Sequence, residues 1–155
     1  MIDSLTISDL ADTPQYLEEA AKGIWLEWWK EEGHPIEDVH KELQASFDKT
    51  TIPTTLIAHD QHQFLGTVTL VKSDMSKRPQ YTPWLASLWI SPAHRGKGIG
   101  ARLVNELEEL ACSSEITQLY LFAKLSLRSF YEQLGWQCIE EDVNGVNIFR
   151  KRLGQ

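Results

Sequence analysis

The sequence predicts a mixed α/β domain spanning residues 1–155, with a mostly antiparallel sheet of about six to seven strands flanked by about four helices. Three observations predict it. The first third of the chain repeats apolar residues at intervals of three and four, the period of a helix; from Thr54 the pattern changes to β-branched and apolar runs separated by turn residues; and after Pro92 helical and strand patterns alternate. A chain of 155 residues fits one hydrophobic core, and no internal repeat, low-complexity segment or linker divides it.

Leu5-Thr6-Ile7 opens the sheet as a short strand. Thr13-Pro14 then reads as an N-cap followed by proline at the first helical position. The helix it starts runs through Leu17, Ala20, Ala21, Ile24, Trp25 and Trp28, all on one face, and stops near Gly33. After His34-Pro35, the spacing of Val39, Leu43 and Phe47 marks a second helix over residues 36–47. Strands follow at 54–59 and 63–71, joined by the hairpin turn Asp60-Gln61-His62, with another at 84–90. The polar loop at 72–82 is long for a hairpin connection, and loops of such length are often functional. A glycine-rich turn after Ser91-Pro92 leads into a helix with Ile99, Leu103, Leu107 and Leu110 on one face. The chain closes with a strand at 116–122, a short helix at 126–134, and two strands, 136–141 and 146–152, around the turn Asn144-Gly145.

Composition narrows the function classes. Apolar residues make up 42% of the chain and charged residues 24%, ordinary values for a folded globular protein. No apolar run approaches the roughly 20 residues of a membrane span. Met1-Ile2-Asp3-Ser4 lacks the basic and apolar regions of a secretory leader, so a cytoplasmic protein is expected. A net charge of −7 argues against broad binding to nucleic acid or to an anionic membrane. The charge is uneven: residues 1–50 hold twelve acids and four lysines, a net of −8, which leaves +1 for the remainder. Solvated helix faces explain such a bias by default, and a cationic ligand is the sharper reading. Cys112 and Cys138 have neither CxxC spacing nor a secretory context, so no disulfide or zinc site is expected and both read as buried thiols. His59 and His62 stand three apart on a predicted hairpin without further ligands, and read as surface residues rather than a metal pair.

The most informative stretch is Arg95-Gly96-Lys97-Gly98-Ile99-Gly100, placed after a predicted strand and at the start of a helix. Glycine lets backbone N–H groups approach a bound anion closely, and a helix N-terminus adds unpaired donors and partial positive charge. Arg95 and Lys97 add two formal charges beside it. A purely structural strand-to-helix turn is the plain alternative. Two nucleotide readings fail on the letters: Gly96-Lys97 is followed by Gly98 rather than the Ser or Thr that a P-loop needs, and G-x-G-x-G after an antiparallel meander is not the G-x-G-x-x-G of a first βαβ unit.

The segment Leu88-Trp89-Ile90-Ser91-Pro92-Ala93-His94-Arg95-Gly96-Lys97-Gly98-Ile99-Gly100-Ala101-Arg102-Leu103 resembles the acetyl-CoA-binding motif of the GNAT superfamily of N-acetyltransferases. That motif is R/Q-x-x-G-x-G/A after an apolar-x-Pro strand end, and it is met at Arg95, Gly98 and Gly100. A second block, Ser129-Phe130-Tyr131-Glu132-Gln133-Leu134-Gly135-Trp136, resembles the family's F-Y-x-x-x-G-F/W segment. The resemblance covers residues 54–153 well, and the N-terminal helices only in layout. It implies a sheet whose fourth and fifth strands splay apart around the pantetheine arm of acetyl-CoA, with no metal. Arg95, Gly96, Lys97, Gly98, Ile99 and Gly100 would hold the pyrophosphate, and the backbone of Leu88, Trp89 and Ile90 would pair with the pantetheine amides. Tyr131 falls on the family's general-acid tyrosine. Lys124 stands where the family often has Asn, which puts a cation near the cofactor in place of an amide.

The chemistry so implied needs few parts. A neutral amine attacks a thioester carbonyl, backbone donors stabilise the developing oxyanion, and the departing thiolate takes a proton. A tyrosine with a pKa near ~10 can protonate a thiolate whose conjugate acid lies near ~8.5. A core tyrosine bonded through its hydroxyl is the plain alternative. Glu27, Glu31, His34, Asp74 and His94 are candidate general bases, each read singly as a solvated surface group, and water is a further route for that proton. Trp25, Trp28 and Trp29 suit an acceptor wall, with core or interface packing as the default for tryptophans near a helix end. The expected acceptor is a small-molecule or peptide amine, in a monomer or homodimer. A GNAT-like module that binds CoA or a partner without turnover is the alternative, and the retention of Arg95, Gly98, Gly100 and Tyr131 speaks against it.

Overall fold

The computed structural model describes residues 4–154, so most of the leader reading at Met1-Ile2-Asp3 lies outside the described residues. Seven strands form one sheet in the order β1-β2-β3-β4-β5-β7-β6. They are β1 (Leu5–Asp9), β2 (Thr54–Asp60), β3 (Gln63–Val71), β4 (Trp84–Ile90), β5 (Gln118–Lys124), β6 (Gln137–Val143) and β7 (Val146–Arg152). All neighbours are antiparallel except β4 and β5. Four α-helices accompany the sheet: α1 (Leu17–Ile24), α2 (Ile36–Gln44), α3 (Ile99–Ser113) and α4 (Arg128–Gln133).

Strand alternation sends successive side chains to opposite faces, and the helices cover both. Leu56 and Ala58 of β2 face the cluster that α3 completes with Ile99, Leu103, Leu107 and Ala111. Ile57, between them, faces the other cluster, which α1 and α2 complete with Ala20, Ala21, Ile24, Val39 and Leu43. α1 lies so close to β4 that a Cβ on Gly23 would stand 2.6 Å from ring carbons of Trp89. Gly23→Ala is therefore expected to destabilise the fold by about 1–3 kcal/mol, since overpacking outweighs the gain in helix propensity of up to about 1 kcal/mol. Urea denaturation measures this, and an unchanged midpoint would mean that Trp89 yields freely.

Four expectations are corrected. Thr13 makes no side-chain cap; its hydroxyl donates to the Asp9 carbonyl at 3.0 Å, and Pro14 opens a 3-10 turn before α1. The first helix does not keep one period to Trp28: residues Trp25–Trp29 wind as a π turn, with Lys30 N–H donating to the Trp25 carbonyl at 2.8 Å and His34 N–H to that of Trp29 at 3.2 Å. Phe47 is exposed while Ser46 is buried, because a 3-10 turn over residues Ala45–Phe47 ends α2 and rotates its face. Cys112 is exposed and Cys138 only half-buried.

The feature that matters most for function is the seam between β4 and β5. Their parallel pairing is confined to Trp84 and Tyr120, and beyond it the strands part. Rings close the narrow end: Tyr81 stacks on Tyr120 at 4.6 Å, and Trp84 tilts against Tyr120 at 5.9 Å. A bulge in β4 accompanies the splay. Thr67 pairs with Trp89 and Thr69 with Ala86, so Ser87 and Leu88 both oppose Val68, and Ser87 takes φ +55°. A bulge bends its strand and re-aims the backbone that follows, here residues 88–90.

Candidate active site

The parted strands open into a cavity of about 1310 Å³. At one end lies the glycine turn. Gly96 and Gly98 have φ of +78° and +83°, a left-handed conformation that disfavours a side chain, and nothing lies within 4 Å of where a Cβ would sit on either. The first helical bond of α3 runs from Arg102 N–H to the Gly98 carbonyl at 3.1 Å. The amides of Ile99, Gly100 and Ala101 are thus left without intrahelical partners, and no acidic residue stands in the first turn to neutralise them. This end of the cavity fits a phosphate-bearing ligand. Arg95 is braced beside it, donating from Nε to the Ile90 carbonyl at 2.8 Å with its guanidinium 5.8 Å from the Trp89 ring centre.

The middle of the cavity is formed by Leu88, Trp89 and Ile90 of β4, by Lys124 at the end of β5, and by Tyr131 of α4. Leu88 to Ile90 are half-buried and have no strand beside them on the β5 side. Tyr131 is only 5% exposed, caged by Phe130, Trp136 and Phe149 at ring distances of 4.9, 6.5 and 5.5 Å. Burial alone, with no hydrogen bond or charge contributing, pushes its phenol pKa up to about 12. Tyr131 therefore keeps its proton throughout the ordinary pH range.

The far end is acidic and aromatic. The π turn changes which residues face outward: Trp28 and Trp29 line this end with Glu32, Glu42 and Asp74, and Glu27 lines the cavity beside Arg95 and Lys124. Single π turns inside helices are frequent at functional sites. Asp74 projects from the loop between β3 and β4. Asp74 is solvent-exposed, yet the cavity walls close to its carboxyl and, as the lesser cause, the charge of Glu42 push its pKa up to about 7. Its side chain still opens onto the cavity, so a ligand can reach it. Glu42 is itself raised, by its surroundings first and by Asp38 second. The loop that carries Asp74 is pinned at both ends. Arg78 Nη2 contacts Glu140 of β6 at 2.7 Å, Tyr81 donates to the same carboxylate at 2.5 Å, and the Thr82 hydroxyl donates to the Lys72 carbonyl at 2.6 Å.

The residues singled out in the sequence divide accordingly. Arg95, Gly96, Gly98, Gly100, Leu88, Trp89, Ile90, Lys124 and Tyr131 come together on one cavity. Lys97 and Ile99 are not among its lining residues: Lys97 is exposed on the turn, and Ile99 is 2% exposed in the main core, so Ile99 can serve the turn only through its backbone. Of the candidate bases, Glu27, Asp74 and His94 line the cavity, whereas Glu31 and His34 do not. His94 Nε2 meets the Gln63 amide at 3.0 Å, and His34 lies against Trp29 and Asp38. His59 contacts Ser8 at 2.8 Å and stacks on Tyr16, away from any metal cluster among the described residues. Sequence reasoning missed Glu42, the Ser87 bulge and the Arg78–Glu140–Tyr81 clamp. Only the bulge has a local backbone cause, and none has a motif.

A model of the acetyltransferase (GNAT) family matches residues 13–136. Solved structures share the fold. An aminoglycoside 6'-N-acetyltransferase complexed with coenzyme A is 19% identical over 97% of this chain and 98% of its own, with a TM-score of 0.75. An acetyltransferase from Streptococcus agalactiae is 17% identical over 97% and 99%, with a TM-score of 0.72. The PaiA N-acetyltransferase of Thermoplasma acidophilum, in complex with coenzyme A, is 19% identical over 96% and 99%, with a TM-score of 0.64. Splayed strands, a glycine turn that leaves the first amides of α3 unpaired and a match across most of the chain agree: the protein belongs to the GNAT family of acetyltransferases.

Proposed function

We propose that the protein moves the acetyl group of acetyl-CoA onto a primary amine of cationic character, on a small molecule or a peptide. The observation that carries this reading is the single cavity that joins an anion-accepting turn to an acidic, aromatic end, with a neutral tyrosine between them. Family membership supports acyl transfer, and two of the structural relatives hold coenzyme A. Bound acetyl-CoA supplies the acetyl thioester.

The chain's own residues do the rest. The turn from Arg95 to Gly100 and the α3 amides bind phosphate, and the unpaired backbone of Leu88 to Ile90 orients the arm that follows. Tyr131 holds a proton at its hydroxyl for the leaving sulfur. Asp74 accepts a proton from the ammonium group of the acceptor, and Glu32 and Glu42 favour a cation beside it.

Thiol release from acetyl-CoA, measured over a panel of amines and acidic controls, tests the reading. Turnover on cationic amines is expected, with Glu32→Lys and Glu42→Lys raising KM in a way that shrinks at high salt. Binding of CoA without turnover on any amine would instead identify a non-catalytic module.

A pH profile tests the base. Asp74 must be ionised to accept a proton, so kcat/KM is expected to fall as pH drops through about 7, and Asp74→Asn to lose that limb. The stability sign follows from the same shift. A carboxyl whose pKa is raised by folding binds its proton more tightly in the native state, so its contribution is full below about 4 and lost as pH rises through about 7. Asp74→Asn should therefore melt higher than the wild type above neutrality. A lower melting point there would contradict the shift.

A further inference from the structure

Glu27 has a place in both halves of the cavity. One carboxylate oxygen lies 3.6 Å from Arg95 Nη2 and the other 3.9 Å from Lys124 Nζ, so the side chain bridges the glycine turn after β4 to the end of β5. Arg95 cannot follow Glu27 if Glu27 moves, because its Nε is bonded to the Ile90 carbonyl and its guanidinium lies over Trp89. The acid is the less exposed partner, 30% accessible against 51% for Arg95 and 68% for Lys124. It belongs to the π turn that also carries Trp28 and Trp29, on the acidic side of the cavity.

Glu27 thus places a carboxylate between two cations beside the glycine turn, where an anion would sit. Phosphate groups carry more charge and more acceptor oxygens than a carboxylate and displace it from Arg95 and Lys124. Once displaced, Glu27 has lost the two charges that neutralised it and still faces the cavity in which the amine must sit. We propose that Glu27 is an acceptor-specificity residue held in reserve: it pairs with Arg95 and Lys124 until the anionic cofactor takes them, and then meets the ammonium group of a cationic acceptor. The inference rests on the proposed function, in which Arg95 belongs to the phosphate-binding turn, and adds Lys124 as a second cation for the anionic cofactor.

Two consequences separate this role from that of a simple brace. Cofactor and cationic acceptor promote each other's binding, because each ligand leaves Glu27 free for, or engaged by, the other. Loss of the carboxylate acts in opposite directions on the two ligands, tightening the cofactor and weakening the coupled amine. A brace that merely positioned Arg95 and Lys124 would weaken cofactor binding when removed.

Isothermal titration tests this with CoA and with 1,4-diaminobutane as the cationic probe, on wild type and on Glu27→Gln, which keeps the shape of the side chain. Glu27→Gln is expected to bind CoA about threefold to tenfold more tightly at low salt, the range that two partly exposed ion pairs allow, with the difference shrinking as salt rises. Wild type is expected to bind the diamine at least about threefold more tightly with CoA present than without, and Glu27→Gln to lose that enhancement. Equal or weaker CoA binding by Glu27→Gln overturns the inference, as does diamine binding by wild type that does not respond to CoA. Arg95→Ala and Lys124→Ala distinguish the two levels of failure. If neither weakens CoA binding, the cofactor assignment falls and the inference with it; if they weaken it and Glu27→Gln does not tighten it, the inference falls alone.

Discussion

Replacing Tyr131 by Phe is expected to lower kcat by about 10²- to 10⁴-fold while changing CoA affinity less than about threefold, because the hydroxyl is needed when the thiolate leaves and not when the cofactor binds. The ring sits in an aromatic cage on the cavity wall, so its position is set by Phe130, Trp136 and Phe149, and Phe retains those contacts. The melting temperature should accordingly change little, which separates chemistry from packing. The pH dependence differs from that of an ordinary tyrosine. A solvent-exposed phenol would begin to lose its proton near ~10 and impose a falling limb there. Burial pushes Tyr131 up to about 12, so wild-type kcat should carry no phenol limb at pH 10. A limb at 10 that disappears in Tyr131→Phe would show a wetter site than the cage allows. Activity of Tyr131→Phe within threefold of wild type would make the residue a packing tyrosine and assign the proton to water.

Gly98→Asp is expected to weaken CoA binding by more than about tenfold and to abolish the rise in melting temperature that CoA produces in the wild type. Two effects combine. Gly98 caps α3 at φ +83°, where an L side chain costs about 1–2 kcal/mol, and the added carboxylate stands beside helix amides that attract anions. No atom lies within 4 Å of the new Cβ, so the loss of affinity comes from charge and backbone strain rather than a clash with the protein. Gly98→Asn separates these, since Asn tolerates the left-handed region and carries no charge. It should keep most of the CoA-induced stabilisation that Gly98→Asp loses. A folded Gly98→Asp protein with an undiminished CoA shift would remove phosphate binding from this turn.

Much of the fold was legible because its information is local. Residues 54–71 are β-branched and apolar runs on either side of Asp60-Gln61-His62, and the structure joins Thr54–Asp60 to Gln63–Val71 through a turn in which Gln61 has φ +55°. Asn144-Gly145 predicted the last hairpin, and both residues take positive φ there. Helix α3 buries Ile99, Leu103 and Leu107 on the expected face. The glycine turn was legible for the same reason, since positive φ at successive glycines is written in the residues themselves. The N-terminal helix was misread where its winding changes: at the period of 3.6 Trp28 shares a face with Ile24, but the π turn rotates it out to 38% exposure on the cavity wall.

By itself, the sequence determined the element order, the glycine turn between strand and helix, and the tyrosine of α4, since each depends on residues adjacent in the chain. Only the tertiary structure decided which acids matter. Asp74 and Glu42 come from a loop and a helix far apart in sequence, and the pKa of Asp74 rises to about 7 only because the fold brings cavity walls and the charge of Glu42 close to its carboxyl. Likewise Glu140 lies 62 residues from the Arg78 it grips, and Glu27 reaches Arg95 and Lys124 from a different element than either. Charge interactions fall off with distance in space and not along the chain, so a sequence states how many acids are present and the fold alone states which of them share a cavity.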